Sequence, residues 1–325
     1  MPQQKIVRII NDLLSLLPSK LQVPSSRPEE QLVAHHWGKM AKEGPKLYSW
    51  TDSPLVLAHI SRLISGDPDT GWVNYAHRKY LWNNGKGVER GLSIGCGAGI
   101  VERQLRTLGA CRIIDAYDVA PAAIEEAKRL ASAEGFDGIN YQARNLEELD
   151  LPKCYYDVVF ASSSIHHIKN LEGLFKQVKK GLKLGGMFIM LEYVGPSQFQ
   201  FTPKAVQIIN EILAILPPQF RARSSQSTEQ KRDFRVSSID HMNATDPSEA
   251  VRSAEILPLL RGWFSIIEKK DFGGTINHML LQDIIHNFDN GTPEGEGMLA
   301  LLLYLENLLI REKVIDSDFC FVVAA

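Results

Sequence analysis

Apolar residues along the chain follow two spacings that alternate from residue 90 onward. Short apolar runs predict buried strands at residues 92–94, 113–117, 139–143, 156–161, 187–192, 264–269 and 319–324. Segments in which apolar residues recur every three to four positions predict helices at 100–108, 120–135, 171–182, 277–288 and 292–313. Such alternation is typical of an α/β fold, in which helices cover both faces of a mostly parallel sheet.

The first 88 residues lack this alternation and predict helices only. In residues 1–20 the apolar positions have helical spacing, with Asn11 and Asp12 between them. This pattern is that of an amphipathic helix and not the unbroken apolar segment of a signal peptide, so we expect a cytoplasmic protein. Further helices are predicted at 29–42, from Pro54 onward and at 72–82. We expect a helical N-terminal cap over 1–88 and a main domain over 89–325.

The alternation breaks again at about 195–262, where we expect a helical insertion in the main domain. A first helix is predicted after Thr202-Pro203. A second is predicted to open at Asp246-Pro247, with Glu249 completing its N-terminal cap. A polar loop and a basic stretch over 221–235 lie between them. The basic residues fit a solvated surface or, alternatively, a phosphate- or carboxylate-bearing ligand.

Composition narrows the class of protein. A hydrophobic fraction of 44% and a charged fraction of 23% are ordinary for a globular protein. The net charge of −2 supplies no basic field, so no nucleic-acid partner is expected.

The 4 cysteines contain no C-x-x-C pair, so no disulfide framework is expected. The histidines and acidic residues lack metal-ligand spacing, so no metal is expected. No apolar run has membrane-spanning length, and the oligomeric state stays open, a homodimer included.

Residues 90–118 combine a strand, a glycine loop at 95–99 (GCGAG), a helix and a strand that ends at Asp118. Glycines let the main chain approach a ligand closely, and an ionised Asp118 accepts hydrogen bonds from both hydroxyls of a ribose. The dinucleotide pattern G-x-G-x-x-G is not matched, because Ile100 stands where its third glycine would fall. A nicotinamide-dependent dehydrogenase is therefore disfavoured. The loop alone is also compatible with an ordinary tight turn.

The segment 94–99, with Asp118 after it, resembles the first motif of class I S-adenosylmethionine-dependent methyltransferases. Residues 156–160 (YDVVF) are similar to the fourth motif of that family, and 182–186 (LKLGG) to the turn before its fifth strand. The resemblance covers about 90–193, and the strand at 319–324 suits the family's terminal strand. It implies a Rossmann-like seven-stranded sheet with an antiparallel last strand. It also implies S-adenosyl-L-methionine as cofactor and S-adenosyl-L-homocysteine as product.

The resemblance assigns roles within the cofactor site. The glycine loop would wrap the methionine part, Asp118 would bind the ribose, and Val119 would pack on the adenine. Asn145 would meet the adenine amine beside Leu146. The expected cofactor-binding residues are Gly95, Cys96, Gly97, Gly99, Asp118, Val119, Asn145, Leu146 and Ser162.

The stretch after the fourth strand carries the candidate chemistry. Ile165-His166-His167 resembles the Leu-His-His stretch of small-molecule methyltransferases, some of which place two histidines and a carboxylate after strand five against the acceptor. A histidine can take the proton that a hydroxyl or ammonium acceptor loses near neutral pH. The expected catalytic residues are His166, His167 and Glu192, and the expected substrate residues are Tyr193 and Arg252.

Other roles remain open for these side chains. One histidine can pack under the sheet edge, Glu192 can pair with the cap, and Tyr193 can form a pocket wall or handle a proton. Tyr48 or Trp50 of the aromatic-rich cap can close over the cofactor or simply pack on the core.

The predicted function is methyl transfer to an oxygen or nitrogen atom of a small molecule, with a histidine as general base. The insertion at 195–262 stands where family members usually build substrate specificity. Two alternatives remain: a methyltransferase acting on RNA or protein, and a protein that binds the cofactor without transferring its methyl group.

Overall fold

A computed structural model describes residues 49–83, 85–223 and 229–325, in which seven strands form one sheet. The strands are β1 (Val88–Ile94), β2 (Cys111–Asp118), β3 (Ile139–Ala143), β4 (Tyr156–Ser162), β5 (Leu182–Tyr193), β6 (Ile266–Gly273) and β7 (Phe319–Ala324). Their order across the sheet is β3-β2-β1-β4-β5-β7-β6. The first five pair in parallel, and β7 is antiparallel to both of its neighbours. The predicted Rossmann-like sheet with an antiparallel last strand is confirmed.

Helices connect and cover these strands. They are α1 (Pro54–Ser65), α2 (Trp72–Ala76), α3 (Ile100–Thr107), α4 (Pro121–Ala133), α5 (Leu171–Gly181), α6 (Pro203–Ile215), α7 (Ile239–Thr245), α8 (Ile256–Trp263), α9 (Asn277–Leu281) and α10 (Pro293–Arg311). A π-helical turn, His77–Leu81, continues α2. Single 3₁₀ turns lie at Trp50–Asp52, Leu146–Glu148, Ile165–His167, Ser197–Phe199, Pro218–Phe220, Ser253–Glu255 and Ile285–Asn287. In the described ranges, no helix combines the length and the apolar character that crossing a membrane requires.

Three helices begin where a hydroxyl residue precedes a proline. The hydroxyl of Ser53 accepts a hydrogen bond from the third residue of α1, and Thr202 and Thr292 do the same for α6 and α10. The capping oxygen satisfies one free backbone N–H, and proline at the next position already has a helical φ. These starts were predictable because the signal is local.

The apolar core lies on both faces of the sheet. Along β5, Phe188 and Met190 join one buried cluster, whereas Ile189 between them joins the other. Val322 and Phe321 of β7 divide in the same way. Successive side chains of a strand point to opposite faces of the sheet. A central strand that is apolar at every position is therefore buried only when helices pack on both faces of the sheet.

Three predicted elements were wrong in part. The helix expected at 277–288 ends at Leu281, and a separate 3₁₀ turn follows at Ile285–Asn287. The strand expected at 264–269 begins later, at Ile266, because Phe264 packs its ring 5.7 Å from that of Phe188 instead of pairing with the sheet edge. The helix expected from Asp246 does not form, since the chain makes turns there and α8 begins only at Ile256. Glu249 turns toward His166, 3.5 Å from its ring, so it does not complete a helix cap.

Several predictions lie outside the described residues. The helices expected at 1–20 and 29–42, together with Tyr48, belong to this group, as does the loop at 224–228. The division into a cap over 1–88, a main domain over 89–325 and an insertion over about 195–262 stays a prediction.

A buried carboxylate on α10 organises the loop that follows β6. Glu306 is only 3% exposed and accepts backbone hydrogen bonds from Gly274 (3.0 Å), Ile276 (2.6 Å) and Asn277 (2.9 Å). A buried charge is tolerated when donors surround it in this way.

We expect Glu306→Ala to lower the free energy of unfolding by about 3 kcal/mol, because it leaves these buried N–H groups without an acceptor. Urea denaturation measures the change. Glu296→Ala, at an exposed position of the same helix, is the control and should cost less than about 1 kcal/mol. Equal effects of the two substitutions would contradict the anchoring role.

Candidate active site

The glycine loop is packed tightly between the ends of neighbouring strands. Gly95 and Gly99 have φ values of +70° and +77°, which side chains rarely adopt. A Cβ atom added to Gly95 would lie 2.3 Å from Cβ of Ser164, and one added to Gly99 would lie 2.3 Å from the hydroxyl of Tyr141. Glycine is therefore required at both positions by conformation and by space.

Asp118 ties this loop to the end of β2. Its Oδ2 accepts a hydrogen bond from the backbone N–H of Gly97 at 2.8 Å, and its Oδ1 accepts one from Ala120 at 2.9 Å. Burial raises the pKa of Asp118, and these N–H donors oppose the rise. Each oxygen keeps a further lone pair, so the carboxylate can still accept hydrogen bonds from a ligand.

A cavity of about 550 Å³, called the loop cavity here, opens beside the glycine loop. Most of the expected cofactor-binding residues line it: Gly95, Cys96, Gly97, Asp118, Val119, Leu146 and Ser162. The other two do not. Gly99 packs against Tyr141, and the Asn145 side chain accepts a hydrogen bond from Glu147 N at 3.0 Å as a helix cap. Contact of these two with the cofactor stays a prediction.

Sequence reasoning missed other residues of the loop cavity. Trp72 of α2, Ser93 of β1 and Glu102 of α3 also line it. Trp72 belongs to the aromatic-rich cap, but the residues singled out there were Tyr48, which lies outside the described residues, and Trp50. Trp50 is 2% exposed and packs its ring 5.6 Å from that of Phe319, which agrees with a core role.

Glu192 is buried behind His166 and does not face either cavity. Its Oε2 accepts hydrogen bonds from the backbone N–H groups of Ser164 (2.9 Å) and Ile165 (2.8 Å). Its Oε1 accepts one from Tyr193 N at 2.9 Å and contacts Nδ1 of His166. The expectation that Glu192 faces the acceptor is corrected: its side chain is 0% exposed, lines neither cavity and contacts His166 instead.

This contact orients the His166 ring. Because Nδ1 faces a carboxylate, Nδ1 carries the hydrogen and Nε2 is the free basic atom of a neutral ring. Nε2 lies 3.5 Å from Oε1 of Glu249. Burial lowers the pKa of His166, but the charges of Glu192, Glu249 and Asp246 and the Glu192 hydrogen bond together raise it above its ordinary value.

His167 stands beside His166 and lines the loop cavity, with the two ring centroids 4.2 Å apart. Its Nδ1 lies 3.1 Å from Oγ of Ser248 and 3.9 Å from Oδ2 of Asp246. The pair of histidines therefore separates the loop cavity from the turn that contains Asp246 and Glu249.

That turn forms part of a second cavity of about 300 Å³, called the insertion cavity here. Its wall combines aromatic rings with two carboxyl groups, and the lining residues used below are Phe199, Phe201, Phe234, His278, Asp246 and Glu249. Burial raises the pKa of Glu249, whereas it lowers that of His278 to about 3 and keeps that ring neutral. In the described residues, Oδ2 of Asp246 has no hydrogen-bond partner.

The two expected substrate residues have different surroundings. Tyr193 lies behind the insertion cavity, with its ring 4.9 Å from that of Phe199, and its hydroxyl donates to Pro196 O at 2.9 Å. This arrangement suits a supporting wall and not proton transfer. Arg252 lines neither cavity, because Glu172 (2.8 Å) and Glu255 (2.6 Å) hold its guanidinium elsewhere. The expectation that it points into the acceptor site is corrected.

The fold brings together one set of possible metal ligands among the described residues. One donor atom each of His166, His167 and Glu249 lies within 4.8 Å of the others. No metal was expected, because these residues lack ligand spacing in the sequence. The same spacing also leaves room for a proton-donating ligand atom between them, and the absence of a metal stays a prediction.

A known protein family matches the segment that contains this site. Residues 92–190 match the family model described as a methyltransferase domain. That segment contains the glycine loop, Asp118 and both histidines. Residues 92–190 therefore form a methyltransferase domain. S-adenosylmethionine is the cofactor of this domain class, as the motifs predicted.

Relatives resemble the methyltransferase domain over part of their length. The sterol 24-C-methyltransferase of Saccharomyces cerevisiae is 27% identical over 173 residues, covering 51% of this chain and 43% of the relative. The ubiquinone biosynthesis O-methyltransferase of Rickettsia conorii is 34% identical over 99 residues, covering 30% of this chain and 33% of the relative. The chain thus spans less than half the length of these curated relatives.

A solved structure resembles more of the chain. The geranyl diphosphate C-methyltransferase of Streptomyces coelicolor covers 93% of this chain and 99% of its own, with a TM-score of 0.51 and 13% identity. This likeness shows the fold.

We expect Gly95→Ala to weaken binding of S-adenosylhomocysteine about tenfold or more, because the added Cβ collides with Ser164 and the loop must move. Thermal shift with increasing ligand measures this. Gly185→Ala is the control: it also has a positive φ (+78°) but meets no atom within 4 Å and should keep wild-type binding.

The same assay compares S-adenosylhomocysteine with NAD on the wild type, and only the former should stabilise it. Stabilisation by NAD alone would overturn the cofactor assignment.

Proposed function

We propose that this protein transfers a methyl group from S-adenosylmethionine to an oxygen or nitrogen atom of a small molecule bound in the insertion cavity. One observation carries the proposal: the neighbouring residues His166 and His167 connect the wall of the loop cavity to two carboxyl groups of the insertion cavity. His167 lines the first, and the two histidines approach carboxylates of the second at 3.5 and 3.9 Å. A methyl donor and an acceptor in adjoining cavities can meet at this pair.

S-adenosylmethionine, when bound, supplies a methyl group on a positively charged sulfur, which leaves as a neutral thioether. The contribution of the protein is to align the acceptor with that methyl group and to exclude water. Alignment of this kind lowers a barrier by roughly 7–11 kcal/mol. The aromatic wall formed by Phe199, Phe201 and Phe234 would hold an apolar acceptor against the histidines.

His166 is the better candidate for the general base. The acceptor loses its proton as it takes the methyl group, and Nε2 of His166 is the atom free to receive it. Glu192 is a positioning residue, since it holds Nδ1 and raises the pKa of the ring. His167 would contact the acceptor or the cofactor from the other side.

The charges around the insertion cavity favour a neutral or cationic acceptor. Asp246 and Glu249 contribute carboxyl groups to its wall. Two residues of the basic stretch are engaged elsewhere: Arg223 binds Asp283 at 2.8 Å, and Lys231 donates to Gln282 O at 2.8 Å. A third, Arg235, lines the cavity but is exposed and pairs with Asp233 at 2.8 Å. A phosphorylated acceptor would meet repulsion from the buried carboxyl groups of Asp246 and Glu249. Relatives named for sterol and ubiquinone biosynthesis also support a small, largely apolar acceptor.

A screen of metabolite extracts with methyl-labelled cofactor tests the proposal. We expect label in a small molecule, and we expect His166→Ala to lower its formation about 100-fold or more while S-adenosylhomocysteine binds with unchanged affinity. His167→Ala is measured alongside. Wild-type turnover by both variants would exclude a histidine base.

Label in RNA or protein would instead support a macromolecular methyltransferase. Cofactor binding without any labelled product would support a protein that has no transfer activity.

Once the screen has identified the acceptor, the pH profile of single-turnover rates tests the role of Glu192. A base works in its neutral form, so the rate should fall as the pH drops through the pKa of His166, which lies above the usual value of about 6.5. Glu192→Gln removes the charge that raises this pKa and should move the acid limb to lower pH.

Glu172→Gln, at an exposed ion pair with Arg252, is the control and should leave the profile unchanged. An acid limb that does not move in Glu192→Gln would assign the titration to another group.

A further inference from the structure

Glu102 stands out within the loop cavity because its carboxyl group has no direct partner. It is the third residue of α3, is 0% exposed and lines the cavity beside Ser93. Neither of its side-chain oxygens makes a hydrogen bond of normal geometry within the described residues. A wholly buried carboxyl group without a donor is costly and calls for an explanation.

The surroundings of Glu102 do not supply a counter-charge. In the described part of the chain, no lysine or arginine lines the loop cavity. Arg103 is adjacent in sequence, but its guanidinium binds Ala98 O at 2.7 Å and Glu134 at 3.0 Å. Burial raises the pKa of Glu102 to about 7, against a smaller opposing effect of the Ser93 hydroxyl. A cation entering the cavity would restore the ionised form.

The two carboxylates of the cavity are not equivalent. Both oxygens of Asp118 already accept backbone N–H groups of the loop, and its remaining lone pairs suit the hydroxyl donors of a ribose. Glu102 accepts no hydrogen bond of normal geometry in the described residues, and the Ser93 hydroxyl is the one side-chain donor with an influence on it. The cofactor carries one group with three N–H donors and a full positive charge, the α-ammonium of its methionine part. An ammonium–carboxylate contact is a charge-assisted hydrogen bond, which is stronger than one between neutral groups.

We propose that Glu102 binds the α-ammonium group of the methionine moiety of S-adenosylmethionine. The inference rests on the cofactor assignment and extends it to a residue outside the expected binding set. In this arrangement Asp118 and Glu102 bind the ribose and the amino acid part of one ligand. The glycine loop lies along the ligand near both.

Proton linkage gives an independent expectation. In the free protein, Glu102 is partly protonated near pH 7. In the complex, the ammonium group of the ligand favours the ionised carboxylate, so binding releases a proton. Affinity for S-adenosylhomocysteine should therefore rise between pH 6 and 8. The other titratable groups with an electrostatic influence nearby are Cys96, Arg103, Asp118 and Tyr141. His167 also lines the cavity, and a Glu102→Gln variant isolates the contribution of Glu102.

The experiment compares two ligands by isothermal titration. S-adenosylhomocysteine has the α-ammonium group but no sulfonium, and 5′-methylthioadenosine lacks the amino acid part. Glu102→Gln should weaken S-adenosylhomocysteine about tenfold or more and flatten its pH dependence. Its affinity for 5′-methylthioadenosine should stay within about twofold, which also reports an intact cavity. Asp118→Asn should weaken both ligands, because both contain the ribose.

Two outcomes would overturn the role of Glu102. They are unchanged S-adenosylhomocysteine affinity in Glu102→Gln and an equal loss of affinity for both ligands. Failure of the wild type to bind either S-adenosylhomocysteine or 5′-methylthioadenosine is a different result. It would remove the cofactor assignment itself.

Discussion

The geometry of the candidate site depends on one buried carboxylate. Glu192 stands at the end of β5 and accepts backbone hydrogen bonds from Ser164 and Ile165, just beyond the end of β4. Removing such donors from a buried charge costs several kcal/mol, so the turn after β4 cannot move independently of β5. The same carboxylate orients the ring of His166 and leaves Nε2 directed toward the insertion cavity. A contact that stabilises the sheet edge therefore also prepares the proposed base.

Both cavities at this edge contain more buried acid than base. Glu102 and Asp118 line the loop cavity, and Asp246 and Glu249 line the insertion cavity. Burial raises the pKa of Glu102, Asp118 and Glu249, because it disfavours the charged form of each carboxyl group. Such a site favours ligands that bring positive charge or hydrogen-bond donors. A sulfonium cofactor meets that requirement in the loop cavity, and the proposed neutral or cationic acceptor would meet it in the insertion cavity.

Local signals predicted much of the fold, and they failed where distant contacts competed. The bounds of β3 and β7, at 139–143 and 319–324, were obtained from apolar runs alone. The helix start at Asp246 had a good local signal, yet the chain turns there because Glu249 faces His166 and Val251 N donates to His166 O at 3.0 Å. Glu102 was missed for a related reason, since a glutamate in the first turn of an amphipathic helix is ordinarily solvated.

By itself, the sequence determined that the glycine loop, Asp118 and the Ser162–His167 stretch share one edge of a sheet. This follows because parallel strands bring their carboxyl ends together whatever the connecting helices do. Only the tertiary structure decided which side chains face the cavities. It placed Glu192 behind His166, drew Arg252 away to Glu172 and left the Glu102 carboxyl group without a hydrogen bond of normal geometry. The physical reason is that burial and charge pairing depend on contacts between residues far apart in the chain, which periodicity and spacing do not encode.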